Sequence, residues 1–176
     1  MRFTVILSVI FISTQALSEN TSTGTNALLN NTTGSKNVAV GDSAMKNNTS
    51  GLNNTVVGYF GLRNSTTGKQ NTAIGSYSLR NNTTGDDNTA VGFESLKYNT
   101  TGDKNTAVGN YALQDNTSGT SNTSIGNYAL SDNTVGDKNT AVGNYSMRSN
   151  SSGNDNTSVG NYAMRDNTSG SDNTAN

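Results

Sequence analysis

Cysteine, proline, histidine and tryptophan are all absent from this 176-residue sequence, and each absence removes a way of building or using a protein. Without cysteine there is neither a disulfide nor a thiolate metal site, so the usual staples of small exported domains are missing. Without histidine or cysteine, nucleophilic triads and most metal centres are excluded, and the only glutamates are Glu19 and Glu94. Charge is scarce: 11 Lys and Arg against 12 Asp and Glu leave a net charge of -1, with no basic excess for nucleic acid and no acidic tail. Hydrophobic residues make up 30% of the chain, too few for an ordinary globular core, while 13% charged residues is low for charge-driven disorder. Stability has to come from repetition, and the expectation is a non-catalytic protein with no cofactor and no bound metal.

What is present begins with a leader-like start. Met1-Arg2 precedes the apolar run Val5-Ile6-Leu7-Ser8-Val9-Ile10-Phe11-Ile12, and small residues follow at Ala16 and Ser18. This pattern predicts a signal peptide over residues 1–18, cleaved before Glu19. The apolar run is well short of the roughly 20 residues a spanning helix needs, so residues 19–176 are expected outside the cell or on its surface, with no membrane span after cleavage.

Glycine sets the architecture. From Gly34 and Gly41 through Gly51, Gly58, Gly68, Gly75, Gly85, Gly92, Gly102, Gly109, Gly119, Gly126, Gly136, Gly143, Gly153, Gly160 and Gly170, the steps alternate between 7 and 10, giving a 17-residue unit. Counted from Asn20, nine units occupy 20–36, 37–53, 54–70, 71–87, 88–104, 105–121, 122–138, 139–155 and 156–172, and 173–176 begins another. Two glycines per unit, abundant Asn and Thr and no run of helix formers argue against helices. Short β-favouring triplets end at each glycine, where tolerance of positive φ makes a corner. Strand, corner, strand, corner describes one turn of an all-β, parallel β-solenoid.

Aligning the nine copies separates constrained positions from free ones. The fourth position holds Val40, Val57, Ile74, Val91, Val108, Ile125, Val142 and Val159, with Thr23 in the first copy. The ninth holds Leu28, Met45, Leu62, Leu79, Leu96, Leu113, Leu130, Met147 and Met164. These two columns are the expected core. Almost every third and eighth position is Ala or Ser, such as Ala107 and Ala112, as expected where a wall comes close. Stacked turns lie about 4.8 Å apart, so nine make a rod of roughly 43 Å in which columns become ladders. Asn48, Asn82, Asn99, Asn116, Asn133 and Asn167 are expected to exchange amide hydrogen bonds along the axis. Tyr77, Tyr111, Tyr128, Tyr145 and Tyr162, with Phe60, form an aromatic column whose plain role is packing between turns and whose alternative role is a ligand-facing stripe.

Other columns carry charge. Asp115, Asp132 and Asp166 share the eleventh position and Asp86, Asp103 and Asp137 the sixteenth; a calcium ladder is weighed there against a solvated edge and ranks below it. Lys46, Arg63, Arg80, Lys97, Arg148 and Arg165 share the tenth, a grip for anionic glycans or, more simply, charge balance. N-glycosylation motifs such as Asn82-Thr83-Thr84 and Asn99-Thr100-Thr101 recur, with corner geometry the preferred reason for them. Two large apolar residues per turn is thin against a backbone entropy of roughly 1 to 2 kcal/mol per residue. Self-association through the Ala-rich faces of neighbouring rods is the expected remedy.

Asn71-Thr72-Ala73-Ile74-Gly75 and Asn105-Thr106-Ala107-Val108-Gly109, followed by Ala112-Leu113 and Asn116-Thr117-Ser118-Gly119, resemble the repeats of bacterial surface and phage tail-fibre-like proteins. They are also similar to a lengthened form of the head repeats of trimeric autotransporter adhesins. The resemblance covers nearly all of the expected mature chain. It implies a left-handed parallel β-roll, a homotrimer, and a role as an adhesive head or fibre spacer touching host or surface glycans or proteins. The chain departs from that family in showing no coiled-coil stalk, no membrane-anchoring β-barrel and no C-terminal chaperone domain, and the missing polar cap of the repeat array points to a truncated gene or to end-to-end assembly into a filament. The leading functional expectation is therefore an adhesin-like surface or fibre segment. The alternatives are an ice-binding solenoid, if the Thr columns at the second position (Thr72, Thr89, Thr106, Thr123, Thr140, Thr157) and the thirteenth (Thr83, Thr100, Thr117, Thr134) face outward, and a low-complexity disordered secreted chain.

Overall fold

A three-residue strand opens each unit because Thr-Ala-Val and its variants are β-favouring and sit between Asn and Gly, which bend the chain on either side. The computed structural model describes residues 19–176, and the expected signal peptide lies outside the described residues. The strands are β1 (Thr21–Thr23), β2 (Val38–Val40), β3 (Thr55–Val57), β4 (Thr72–Ile74), β5 (Thr89–Val91), β6 (Thr106–Val108), β7 (Thr123–Ile125), β8 (Thr140–Val142), β9 (Thr157–Val159) and β10 (Thr174–Ala175). They form one parallel sheet in sequence order, and no helix occurs among the described residues. Register is constant: Thr72 faces Thr89, Ala73 faces Ala90, and Ile74 faces Val91, each 17 residues on. The chain is an all-β solenoid whose turns lie directly over one another.

Backbone bonds between turns continue beyond the strands. Thr72 donates its N–H forward to the Asn88 carbonyl at 2.8 Å, whereas Gly75 donates backward to Val57 at 2.8 Å. In the second wall, Leu79 donates forward to Ser95 at 3.0 Å and Tyr77 backward to Tyr59 at 2.9 Å. These bonds hold ordinary side chains in the left-handed region: Tyr77 has φ 61°, Leu79 φ 49° and Asp87 φ 59°, and the same positions repeat the pattern in every unit. Each such residue costs roughly 1 to 2 kcal/mol on its own, so the neighbouring turns have to hold it in place.

The core differs from the expected one. Strand side chains alternate between faces, and the third position points inward: Ala39, Ala73, Ala90, Ala107 and Ala141 are fully buried. The fourth position therefore points out. Val40, Val57, Ile74, Val108, Ile125 and Val159 are exposed, and Val91 and Val142 are half-buried, so the column expected as core lies on the surface. The ninth position does fill the interior, with Leu62, Leu79, Leu96, Leu113, Leu130 and Met147 fully buried and Met164 packed against them. Because these long side chains come from the opposite wall, only a small side chain fits under them on the strand. The alanines thus line the inside of each rod, and they are not a surface that a neighbouring rod can pack against.

One unit tests this packing rule. In β3 the inward residue is Val56 instead of Ala, and the eighth position of the same unit is Gly61 instead of Ala or Ser. A Cβ at Gly61 would lie 2.7 Å from Cγ1 of Val56, so the two positions share one fixed volume.

The two glycines of a unit serve different needs. Gly109, at φ 136°, adopts the expected left-handed corner, as do Gly41, Gly58, Gly75, Gly92, Gly126, Gly143 and Gly160. Gly119 and its equivalents Gly51, Gly68, Gly85, Gly102, Gly136, Gly153 and Gly170 have no positive φ. They are glycine because of crowding: a Cβ at Gly119 would lie 2.4 Å from the Gly136 carbonyl oxygen and 2.5 Å from Oδ1 of Asn116.

Candidate functional site

Among the described residues no group of three or more acidic side chains lies close enough to hold a metal ion, and no helix is long and apolar enough to cross a membrane. The candidate site is a face, and it is built by exclusion from the interior.

Two polar ladders close the core. The twelfth-position ladder runs as expected: Nδ2 of Asn99 donates to Oδ1 of Asn82 at 2.7 Å, and Asn116 to Asn99 at 2.7 Å. Sequence reasoning missed a second ladder, at the first position, although Asn stands there in every copy. Oδ1 of Asn88 accepts the backbone N–H of Asn105 at 3.0 Å, while Nδ2 of Asn105 reaches the Gly119 carbonyl at 2.8 Å. Asn116 donates to that same carbonyl at 3.0 Å, so the two ladders meet on the crowded glycine. Ser65 interrupts the twelfth-position ladder, leaving its own buried hydroxyl and Oδ1 of Asn48 without partners.

The other columns are also occupied by structure. Hydroxyls of Thr83, Thr100, Thr117 and Thr134 donate to the carbonyls of the next turn at 2.8–2.9 Å, so they do not form an outward hydroxyl lattice. At the sixteenth position, carboxylate oxygens of Asp86, Asp103 and Asp137 each accept the backbone N–H of the preceding turn at 2.7 Å. Rings of Tyr111, Tyr128, Tyr145 and Tyr162 stack nearly parallel, with centroids 4.5–5.2 Å apart, and Phe60 stacks on Tyr77 at 5.7 Å. Their flat faces are turned to one another, which is the packing role; a planar ligand would find mainly ring edges. Arg148 lies over the rings of Tyr128 and Tyr145 at 5.7 and 5.6 Å, and Arg80 and Lys97 sit similarly beside Tyr77. Where Glu94 replaces the aromatic residue, its carboxylate accepts from Nζ of Lys97 at 2.9 Å and Nε2 of Gln114 at 2.6 Å. Burial pushes the Asp115 carboxyl above its ordinary value, and the charge of Asp132 one turn on adds to the effect.

What remains is the outer face of the sheet. Second-position threonines and fourth-position Val or Ile share it, in register over successive turns. The first five positions of every unit contain no charged residue. Neighbouring side chains recur about 4.8 Å apart along the axis and about 6.6 Å apart across a strand. The result is a periodic, uncharged, half-apolar stripe on a polar rod. No family model matches the chain, and no curated protein or solved structure matches it.

Proposed function

We propose that the protein is a secreted, non-catalytic structural repeat protein that serves as an adhesin-like surface or fibre segment. The observation that carries this reading is the outward Val and Ile column, exposed by 36–45% at Val40, Val57, Ile74, Val108, Ile125 and Val159. A continuous uncharged apolar stripe is the composition of an interface centre, where charged residues are depleted. The repeat resemblance and the leader-like start support an extracellular setting, and three rods in a left-handed β-roll would bring such stripes together. Self-association therefore runs through the valines and not through the alanines. Light scattering with circular dichroism on residues 19–176 tests it: the native chain gives a β-rich trimer or filament, and the double substitution Val108→Asp, Ile125→Asp gives a β-rich monomer. A native chain that is a monodisperse monomer overturns the association.

A second reading, ice binding, is favoured by one observation. The hydroxyls of the second-position threonines make no hydrogen bond among the described residues and share the outer face with the valines, giving a repeating hydroxyl and methyl array. Thermal hysteresis of the purified protein separates the readings; a clear freezing-point gap, lost in Thr106→Tyr, would reverse their order.

A further inference from the structure

Six fully buried asparagines of the two internal ladders satisfy the Asn-x-Ser/Thr acceptor pattern and donate twice through Nδ2: Asn48, Asn99, Asn116 and Asn150 at the twelfth position, and Asn122 and Asn156 at the first. Asn82, beside the Ser65 gap, also fits the pattern and is buried but donates once, to Gly85 at 2.8 Å. Glycan transfer takes place at Nδ2, the atom that each of the six uses twice. Asn99 donates one proton to Oδ1 of Asn82 at 2.7 Å and the other to the Gly102 carbonyl at 2.9 Å. Asn122 donates to Oδ1 of Asn105 at 3.1 Å and to Gly136 at 2.8 Å, and Asn156 to Asn139 at 3.0 Å and Gly170 at 2.7 Å. Other sequon asparagines are placed differently; among them Asn53, at the close of its unit, and Asn144, just past β8 (Asn144-Tyr145-Ser146), are exposed.

We propose that the six ladder asparagines are N-glycan acceptors only in the unfolded chain, so that modification there and closure of the solenoid exclude one another, while Asn53 and Asn144 stay open to modification on the folded rod. In the transfer, Nδ2 forms a bond to C1 of a lipid-pyrophosphate-linked oligosaccharide. The C1–O bond to pyrophosphate breaks, the lipid pyrophosphate leaves, and Nδ2 gives up one of its two protons. A single N–H then remains where the ladder needs two. The sugar would also have to occupy a space in which a Cβ at Gly102 already comes within 2.5 Å of Oδ1 of Asn99 and 2.4 Å of the Gly119 carbonyl oxygen. Each unmade bond to a buried partner costs about 1–3 kcal/mol before the sugar is accommodated at all.

The test carries the full chain into the endoplasmic reticulum of a eukaryotic cell behind an added leader, so that the outcome does not depend on residues 1–18. Beside it runs Gly109→Val, whose new side chain would meet the Gly126 carbonyl oxygen, 2.4 Å from the Cβ position, and hold the chain open. Site occupancy is read by peptide mass spectrometry after enzymatic deglycosylation, in the protease-resistant fraction of the native chain and the protease-sensitive fraction of the variant. The expected result is glycan at Asn53 and Asn144 but at none of the six in the resistant native protein, with the six occupied in the open variant. Resistant protein bearing a glycan on any of the six overturns the exclusion, as does an open chain left unmodified at all of them. Resistant protein bare at Asn53 and Asn144 overturns the second half.

Discussion

Ser65 shows how much one residue can weigh in a ladder. It leaves Oδ1 of Asn48 buried without a donor, and its own hydroxyl is unpartnered. Ser65→Asn puts an amide back into the row, and chemical denaturation should show a gain of about 1–2 kcal/mol; an unchanged midpoint would mean that the gap has relaxed. At the Val56 and Gly61 pair the volume is already full. Gly61→Ala alone should therefore cost about 1–3 kcal/mol by overpacking, and Val56→Ala in the same chain should recover most of it. The carboxyl of Asp115 is raised above its ordinary value by burial and by Asp132. The folded state then holds a proton more tightly than the unfolded one, so this group's contribution falls as pH rises from the unfolded value through the raised folded one. Asp115→Asn should accordingly be more stable than the native chain at neutral pH, with the advantage fading as pH drops through the carboxylate range.

For the strand and its facing wall, the decisive relation is which of three adjacent side chains points in. Alternation puts Thr106 and Val108 on one face and Ala107 on the other, with Leu113 closing over the alanine from the opposite wall. Leu113→Ala should cost about 2–5 kcal/mol in thermal or denaturant unfolding, as a buried leucine truncation does. Val108→Thr, on the outer face, should stay within about 0.5 kcal/mol in the dissociated chain. A reversal of that order would return the valines to the core. The sequence carries one sign of the direction, a polar Thr two residues before the Val and on the same face, but that sign does not decide which face is inward. Hydrophobicity alone suggested that the Val points inward, since β-branched apolar residues usually mark the interior, whereas the leucines of the far wall leave room on most strands only for Ala or Ser.

In the molecule as a whole, contacts run between adjacent turns, so stability is a sum of repeats and nearest-neighbour interfaces. The first strand, β1, is exposed along its whole length, whereas the middle turns are covered on both sides. Hydrogen exchange should therefore be graded, with the amides of Thr89, Thr106 and Thr123 exchanging slowest and protection falling in the turns on either side. A single uniform rate for every turn would show one all-or-none unit instead. The same stacking generates the outer stripe, because a constant register of 17 residues converts one Thr and one Val per unit into two unbroken columns. The lattice of the proposed site is thus a property of the array and of no single turn.

Period, unit boundaries, the absence of helix, the Leu and Met column and the twelfth-position Asn ladder follow from the sequence alone, because repetition within one chain exposes each requirement nine times over. The stacked structure decided the rest. Whether valine or alanine is buried depends on the length of the side chain arriving from the other wall. Whether the second glycine is there for φ or for space depends on the carbonyl of the turn above it. The hydroxyls of Thr100 and Thr117 are bound, and those of Thr89 and Thr106 free, according to which backbone group the next turn brings within reach. These are distances set by packing across a turn and between successive turns, and a repeat pattern specifies the residue at each position without specifying what it will touch.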